Sequence, residues 1–291
     1  MKKYLSRLRT LNPKSKLPIL IAIPGGPGLS GKSLKGIEVF QSKFQVSVLD
    51  PAGTGKTKEL PAQKTREEYF DRYIDDIEMC LLELVLKHPH SEKHPITFIG
   101  HSYGGIVALE MGLRFRHFSP RVFCLSTPLT QATMDRDVTN AYSAHLTDSL
   151  ISKQKAFEKN PSKSNFKKWL ANYGKLFFSK HSNLAGKKLM LSDHVSVQSF
   201  SRMEGLLHSD PYFYKRVKAA KFQKTMISAS EDQLVTSKVL KRDAIATNMN
   251  FYAVPMSGHF SLLDKPDAIL KIVASGLRAK RKSTNQKGKQ T

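Results

Sequence analysis

The sequence has only two cysteines, Cys80 and Cys124, and both lie in apolar segments. This number and placement predict buried thiols rather than a disulfide framework, which suits a reducing compartment. No stretch approaches the roughly 20 consecutive apolar residues of a membrane-spanning helix. The apolar run 17–23 after the basic N-terminus is too short for a typical signal peptide and lacks a small-residue cleavage site. We therefore expect a cytoplasmic protein without a membrane span.

Acidic residues are also scarce. The sequence has 24 Asp and Glu but 47 Lys and Arg, so its formal net charge is +23. Such a charge is compatible with attraction to nucleic acid or anionic membranes, with an acidic substrate, or with a lysine-rich solvated surface. The lysines are scattered and are not interleaved with aromatic residues as in a single-strand binder. We favour the solvated surface and predict no specific nucleic-acid partner, although the basic tail 278–291 could bind polyanions.

The 291 residues suit one large domain that carries an insertion. Strand-like and helix-like segments alternate at both ends of the chain, as in α/β proteins with a mostly parallel sheet flanked by helices. Helical segments alone fill the middle, near 134–159, 163–180 and 194–208. We predict a core of residues 1–126 and 221–277, a helical cap of residues 127–220, and a disordered tail from 278 to 291. An unrelated helical domain is the alternative for the insertion.

The individual elements are predicted from apolar patterning. Continuous apolar runs indicate strands buried on both faces. The predicted strands lie at 19–23, 44–49, 97–99, 122–125, 225–227 and 250–254, with a further one within 4–11. The predicted core helices are 66–87, a helix continuing through 106–111, 236–246 and 266–277.

A glycine-flanked serine follows the third of these buried strands. Gly100, Ser102 and Gly104 form a G-x-S-x-G pattern between the strand at 97–99 and the helix that continues through 106–111. A serine hydroxyl is a weak nucleophile unless a base activates it, so it must be presented clear of the sheet. A sharp strand-to-helix turn does this, and its glycines avoid collisions with the neighbouring strand and helix.

An acid and a histidine follow the serine in the order Ser102, Asp232, His259, each directly after a predicted strand. Parallel strands bring these positions to one carboxyl edge, where ligands bind in open α/β sheets. His259 would act as general base towards Ser102, and Asp232 would orient and stabilise the imidazole. Glu231 is the rival acid. Taken singly, His259 could be a loop residue and Asp232 a helix cap.

A nucleophilic serine also needs donors for the oxyanion that develops on the substrate. The backbone N–H of Tyr103, directly after the serine, is one candidate. Gly26 or Gly25, in a glycine-rich turn after the strand at 19–23, is the other.

A second glycine-rich turn imitates a phosphate-binding loop. Gly55-Lys56-Thr57 ends this turn, but Asp50 stands where that motif requires glycine, and Pro61 interrupts the helix that should follow. We predict no nucleotide, no other cofactor and no metal.

Several of these motifs resemble the α/β-hydrolase superfamily and, more narrowly, its proline iminopeptidase-like branch. The similar segments are Gly25-Gly26-Pro27-Gly28, Asp50-x-x-Gly53-x-Gly55, Gly100-His101-Ser102-Tyr103-Gly104-Gly105, Asp232-Gln233-Leu234-Val235 and Gly258-His259-Phe260. Pro24 and Pro51 depart from the pattern, replacing a histidine and a glutamine of that branch.

The resemblance implies a serine hydrolase in which acidic cap residues hold the free amine of the substrate. Glu204 is the best candidate for such a residue, with an exposed helical glutamate as the alternative. We predict cleavage of an ester or amide through an acyl-enzyme, favouring an aminopeptidase that acts on a small molecule or short peptide. A carboxylesterase or thioesterase is the alternative, and a non-catalytic binding module is a remote one.

Overall fold

The computed structural model describes residues 4–87 and 94–283, and its centre is one sheet. The sheet has seven strands in the order β1-β3-β2-β4-β5-β6-β7. Only β1 runs antiparallel to its neighbour, and every other pairing is parallel. The strands are β1 Arg7–Thr10, β2 Ile19–Ile23, β3 Gln45–Asp50, β4 Thr97–His101, β5 Arg121–Leu125, β6 Gln223–Ala229 and β7 Asn250–Val254.

Eleven α-helices of the described residues surround this sheet or follow one another between its strands. They are α1 Arg66–Lys87, α2 Tyr103–Arg114, α3 Thr139–Ala144, α4 Asp148–Lys159, α5 Lys163–Ala171, α6 Asn183–Ser192, α7 Val197–Met203, α8 Phe213–Ala219, α9 Ser237–Ala246, α10 Ser261–Asp264 and α11 Pro266–Ser283. The strands β2 and β7 and the helix α1 have the bounds that their apolar patterning predicts.

Helices cover the sheet on both faces, which explains why its central strands are continuous apolar runs. Along β4, Phe98 belongs to the cluster formed with α1 and α2, and the next residue, Ile99, belongs to the cluster on the other face. Val273 of α11 lies in that second cluster. Successive side chains of a strand point to opposite faces, so each of the strands β2 to β7 contributes to both clusters. The predicted α/β fold with a mostly parallel sheet is confirmed.

Between β5 and β6 the chain is helical, as predicted, but it is broken into shorter pieces than expected. The predicted helix 134–159 ends at Ala144 and restarts at Asp148, because the Thr147 hydroxyl caps α4 by accepting the N–H of Leu150. The predicted helix 194–208 begins at Val197, and α6 before it was not predicted. These helices share an aromatic cluster that includes Phe157, Phe166 and Trp169. The boundaries of the cap at 127 and 220 remain a prediction.

The last helix also differs from its prediction. Residues 278–283, predicted as the start of a disordered tail, continue α11 to Ser283. Arg, Ala and Lys are strong helix formers, so a basic composition alone does not end a helix. The rest of the predicted tail, 284–291, lies outside the described residues. No helix in 4–87 or 94–283 has the length and apolar character to span a membrane.

A buried carboxylate connects α2, which begins beside Ser102, with the end of the inserted helices. Glu110 is 5% exposed and lies 2.9 Å from Arg114 and 3.1 Å from Arg216, with His208 at 3.4 Å. Burial alone would raise the pKa of Glu110, but His208 and the two guanidinium groups outweigh it and lower the pKa to about 2.

Glu110→Gln should therefore destabilise the protein in a pH-dependent way. A carboxyl with a lowered pKa stabilises the fold above its unfolded value of 4.5, and that stability is lost as the pH falls towards 2. At neutral pH we expect the free energy of unfolding to fall by about 3 kcal/mol, because the guanidinium groups lose their partner. Urea unfolding across this range should show the difference from wild type shrinking with acidity. The exposed Glu67→Gln is the control, and an equal effect there would refute the argument.

Candidate active site

Ser102 lies on the turn between β4 and α2 in a backbone conformation that is rare for a residue with a side chain. Its φ of 50° and ψ of −122° place it in the left-handed half of the map. A Cβ at Gly100 would overlap the carbonyl oxygen of Gly104, and a Cβ at Gly104 would overlap that of Pro24 at the end of β2. The turn can be this tight only because both flanking positions are glycine.

Asp232 and His259 follow β6 and β7, the next strands along the same edge, and they are paired. The Nδ1 of His259 lies 2.8 Å from Oδ2 of Asp232, and each residue is 2% exposed. A carboxylate only accepts hydrogen bonds, so Nδ1 carries the proton and Nε2 is left as an acceptor. The other oxygen of Asp232 accepts the backbone N–H groups of Leu234 and Val235, both at 2.9 Å. The carboxylate is therefore held in place on both sides.

The rival acid, Glu231, does not make this contact. Its backbone N–H donates a hydrogen bond to the carbonyl oxygen of Ser257 at 2.8 Å. This bond joins the loop after β6 to the loop after β7, and so helps to set the spacing of Asp232 and His259.

His101, the residue before the serine, has a contact that was not predicted from the sequence. Its Nε2 donates to the backbone carbonyl oxygen of His259 at 2.9 Å, and its ring centroid lies 4.9 Å from that of His259. Burial lowers the pKa of His101 well below its ordinary value, and the nearby His259 lowers it further. His101 is thus a neutral donor that supports the loop bearing His259. Its position beside the nucleophile was the available sequence signal.

The predicted oxyanion donors surround the same serine. A Cβ at Gly25 would lie only 3.1 Å from Cβ of Ser102, so this loop passes directly over the serine. Gly26, with a φ of 116°, lines the cavity in front of Ser102, and Gly25 does not. Tyr103 is the first residue of α2, where backbone N–H groups have no acceptor within the helix. The geometry favours Gly26 over Gly25 as the partner of Tyr103.

A cavity of about 410 Å³ lies between the sheet edge and the inserted helices, and Ser102 and His259 both line it. Much of its wall is aromatic, and its Phe, Tyr and Trp residues are Tyr103, Tyr142, Phe157, Phe166, Trp169, Tyr173, Phe177, Phe200 and Phe260. Three of its described lining residues are acidic, Asp135, Glu158 and Glu204, and none is Lys or Arg. In a chain of formal charge +23 this distribution is unexpected. The lysines of the inserted helices are turned away from the cavity.

Glu204 follows α7 at the rim of this cavity, exposed to solvent and at the same time part of the lining. Its backbone carbonyl accepts a hydrogen bond from Arg66 of α1. Partial removal from water raises the pKa of the Glu204 carboxyl. The charge of Arg66 lowers this pKa, and that of Glu158 raises it, and the net effect is an increase. Glu158 itself accepts a hydrogen bond from Gln154 at 2.8 Å. The sequence pointed to Glu204 but not to Glu158 or Asp135.

The inserted helices also hold the loop that carries Gly26. The buried Asp193, after α6, accepts hydrogen bonds from both the hydroxyl and the N–H of Ser30. The N–H of Ser196 donates to the carbonyl oxygen of Gly28 at 2.9 Å. The glycine-rich loop is therefore fixed between the sheet edge and the segment 193–196, a contact between distant parts of the chain.

Comparison with known proteins agrees with this arrangement. A family profile described as the alpha/beta hydrolase fold matches residues 18–266, which is most of the chain. The protein belongs to the α/β-hydrolase family. The hydrolase class predicted from the motifs is thereby confirmed.

Relatives of this α/β hydrolase agree with the narrower resemblance as well. It is 28% identical over 107 residues to a proline iminopeptidase of Elizabethkingia meningoseptica, and this match spans 36% of the chain and 33% of that relative. The chain thus covers only a third of the length of that curated relative.

Two solved structures share its fold at low sequence identity. A proline iminopeptidase-related protein from Thermus thermophilus has a TM-score of 0.67 at 20% identity, covering 94% of this chain and 92% of that one. An esterase from Thermogutta terrifontis, solved with malate bound, has a TM-score of 0.62 at 17% identity, with coverages of 94% and 93%. Both peptidase-related and esterase proteins therefore share the architecture of this hydrolase.

Gly100→Ala tests the crowding at the turn. Because the added Cβ meets the backbone of Gly104, the turn must open, and we expect the free energy of unfolding to fall by about 2–3 kcal/mol. Gly174→Ala is the control, since nothing lies within 4 Å of an added Cβ there and only the positive φ of 52° opposes a side chain. That control should lose only about 1 kcal/mol. Equal losses in urea unfolding would contradict the role of crowding.

Proposed function

We propose that this α/β hydrolase is a serine hydrolase whose catalytic residues are Ser102, His259 and Asp232. The observation that carries the proposal is the buried 2.8 Å bond between His259 and Asp232, beside a cavity that Ser102 and His259 both line. This bond leaves Nε2 of His259 free to accept a proton. An imidazole in that tautomer is what a serine nucleophile requires.

In the proposed reaction, Ser102 Oγ attacks the carbonyl carbon of an ester or amide while His259 Nε2 takes its proton. The tetrahedral intermediate collapses, the bond to the leaving group breaks, and His259 returns the proton to the departing alcohol or amine. Water then enters, gives a proton to His259 Nε2 and attacks the acyl carbon. The bond from that carbon to Ser102 Oγ breaks, His259 returns the proton to Oγ, and the acid is released. Asp232 stabilises the imidazolium in both halves without taking up the proton itself.

The negative charge on the carbonyl oxygen needs preorganised donors, and the N–H groups of Tyr103 and Gly26 are proposed for this role. One such donor contributes about 3–4 kcal/mol to lowering the barrier. The bonds from segment 193–196 to Ser30 and Gly28 support the proposal, because they restrain the loop before substrate arrives.

The lining of the cavity favours a substrate with a free amine, and thus an aminopeptidase resembling proline iminopeptidases. A cationic amine is stabilised by nearby carboxylates, and Asp135, Glu158 and Glu204 are the charged residues of the described lining. The aromatic walls suit a small apolar side chain or ring beside that amine. We propose Glu204 as a residue that binds the amine of a small molecule or short peptide.

A carboxylesterase or thioesterase is the second candidate, and the largely aromatic wall supports a neutral acyl group. An anionic acyl group is disfavoured, because three carboxylates and no cation face it in the described lining. A binding module without catalysis remains the remote alternative. We expect the protein in the cytoplasm, which is supported by two free and buried cysteines, Cys80 and Cys124.

Ser102→Ala should abolish labelling by a fluorophosphonate probe, because this reagent forms a covalent bond only with an activated serine. Hydrolysis of nitrophenyl acetate should fall by about 10⁴-fold or more. Mass spectrometry of labelled wild type should place the adduct on Ser102. Absence of labelling in folded wild type would refute the hydrolase mechanism and leave the binding module.

Glu204→Gln should raise KM for proline naphthylamide about tenfold and leave the hydrolysis of nitrophenyl acetate, which has no amine, unaffected. In wild type the same KM should rise as the pH falls through the raised pKa of Glu204, because the protonated carboxyl no longer attracts the amine. Glu67→Gln, outside the cavity, is the matched control.

Equal effects of Glu204→Gln on both substrates would exclude amine binding by Glu204. Labelling at Ser102 together with no turnover of proline naphthylamide would favour the esterase.

A further inference from the structure

A second large concavity lies at the opposite edge of the sheet, away from Ser102. Arg121 begins β5 and Gln223 begins β6, so this concavity is at the amino ends of strands whose carboxyl ends face the active site. It measures about 910 Å³, and the turn 116–120 and the end of α8 form its walls. We call it the basic groove, defined by Arg116, His117, Arg121, Lys221 and Phe222.

The basic groove brings together two parts of the chain that contain no acidic residue. Residues 111–134 and 211–230 include Lys and Arg but no Asp or Glu. A smaller depression adjoins the groove through Lys221 and is lined by Lys215, Lys218 and Lys224 as well. None of the described residues lining either concavity is acidic. The fold thus concentrates positive charge here that in the sequence looks evenly scattered.

Some of these cations already have partners and others do not. Arg216 pairs with Asp210 and Glu110, and Nζ of Lys224 donates to the carbonyl oxygens at the end of α8. Arg116 and Lys221 are exposed and form no ion pair with an acid in the described part of the chain. They are therefore available to an anionic ligand.

Arg121 lines the groove at the start of β5, but its guanidinium is buried against α11, and no carboxylate in the described part of the chain pairs with it. It is 4% exposed, and it donates only to neutral oxygens, those of the Gln223 side chain at 3.1 Å and the Val273 backbone at 2.6 Å. The third nitrogen of its guanidinium, Nη1, has no acceptor among the described residues. Burial lowers the pKa of Arg121 to about 10. The guanidinium also lies 5.2 Å from the ring centroid of Phe123, in the cluster on the α11 face, so the cations that a ligand in the groove would meet are Arg116 and Lys221.

We propose that the basic groove binds a phosphorylated ligand. Guanidinium and ammonium groups are attracted to phosphate oxygens, and the groove offers one of each without an acidic partner, on Arg116 and Lys221. Its volume exceeds what one phosphate fills and lies in the range of small-molecule sites. Phe222 and Leu113 add an apolar wall for an organic part. The acidic cavity at Ser102 repels such a ligand, so the groove is a separate site.

Calorimetric titration with inorganic tripolyphosphate tests the site. The double variant Arg116→Gln/Lys221→Gln should bind the probe about tenfold more weakly than wild type or worse. The matched control Lys187→Gln/Lys188→Gln removes the same charge from exposed positions of α6 and should stay within about twofold. Neither variant should change the hydrolysis of nitrophenyl acetate or the unfolding temperature, because these side chains lie on the surface.

Further measurements identify the source of the ligand and test whether binding is specific to the groove. Binding to vesicles containing a phosphoinositide, but not to phosphatidylcholine vesicles, with displacement by tripolyphosphate would support the site and identify a lipid headgroup. Binding of tripolyphosphate without binding to vesicles would support a free phosphorylated metabolite. No saturable binding of tripolyphosphate, or equal weakening in both double variants, would overturn the proposal. So would tight binding of duplex DNA that tripolyphosphate does not displace, because this would indicate a nucleic-acid surface.

Discussion

The close contact between the turn at Ser102 and the end of β2 is the constraint on which the rest of the site depends. An added methyl group at Gly104 would overlap the backbone of Pro24, and one at Gly25 would lie 2.7 Å from the carbonyl oxygen of His101. These contacts bring the proposed nucleophile, the first N–H of α2 and the glycine-rich loop to one point. A buried position of this kind cannot relax cheaply, because protein interiors are close-packed.

His259 reaches the same point through a different set of bonds. Asp232 orients the ring, and His101 donates to its backbone carbonyl. Each bond connects residues at the carboxyl ends of different strands, or in the loops that follow them, so the parallel sheet determines the geometry more than any single loop does. The inserted helices then complete the site, because segment 193–196 holds the loop that bears Gly26.

Charge is distributed in opposite ways at the two edges of the sheet. The cavity at the carboxyl edge has three acids and no Lys or Arg in its described lining, and the basic groove at the amino edge has cations and no acid. The inserted helices are rich in lysine, yet none of the described residues lining the cavity that they cover is Lys. The side chains that line the cavity, rather than the composition of the segment, determine the local potential.

Much of the core could be predicted from the chain alone because its signals are local. Apolar runs bounded by glycine and proline predicted the strands β2 and β7, the amphipathic pattern predicted α1, and G-x-S-x-G predicted the turn at Ser102. The inserted helices were harder, since their breaks depend on caps such as Thr147, whose hydroxyl could equally face solvent. The choice between Asp232 and Glu231 followed a motif, but their neighbouring positions gave no physical basis for it.

The amino-acid sequence by itself determined the fold class, the order of the elements and the residue types of the proposed catalytic site, because these follow from periodicity, turn chemistry and motif spacing. Only the tertiary structure decided which acid meets His259, that Glu158 and Asp135 join Glu204 in one cavity, and that two acid-free segments form the basic groove. Such contacts join residues far apart in the chain, and their chemistry depends on distance and burial, which no local pattern encodes.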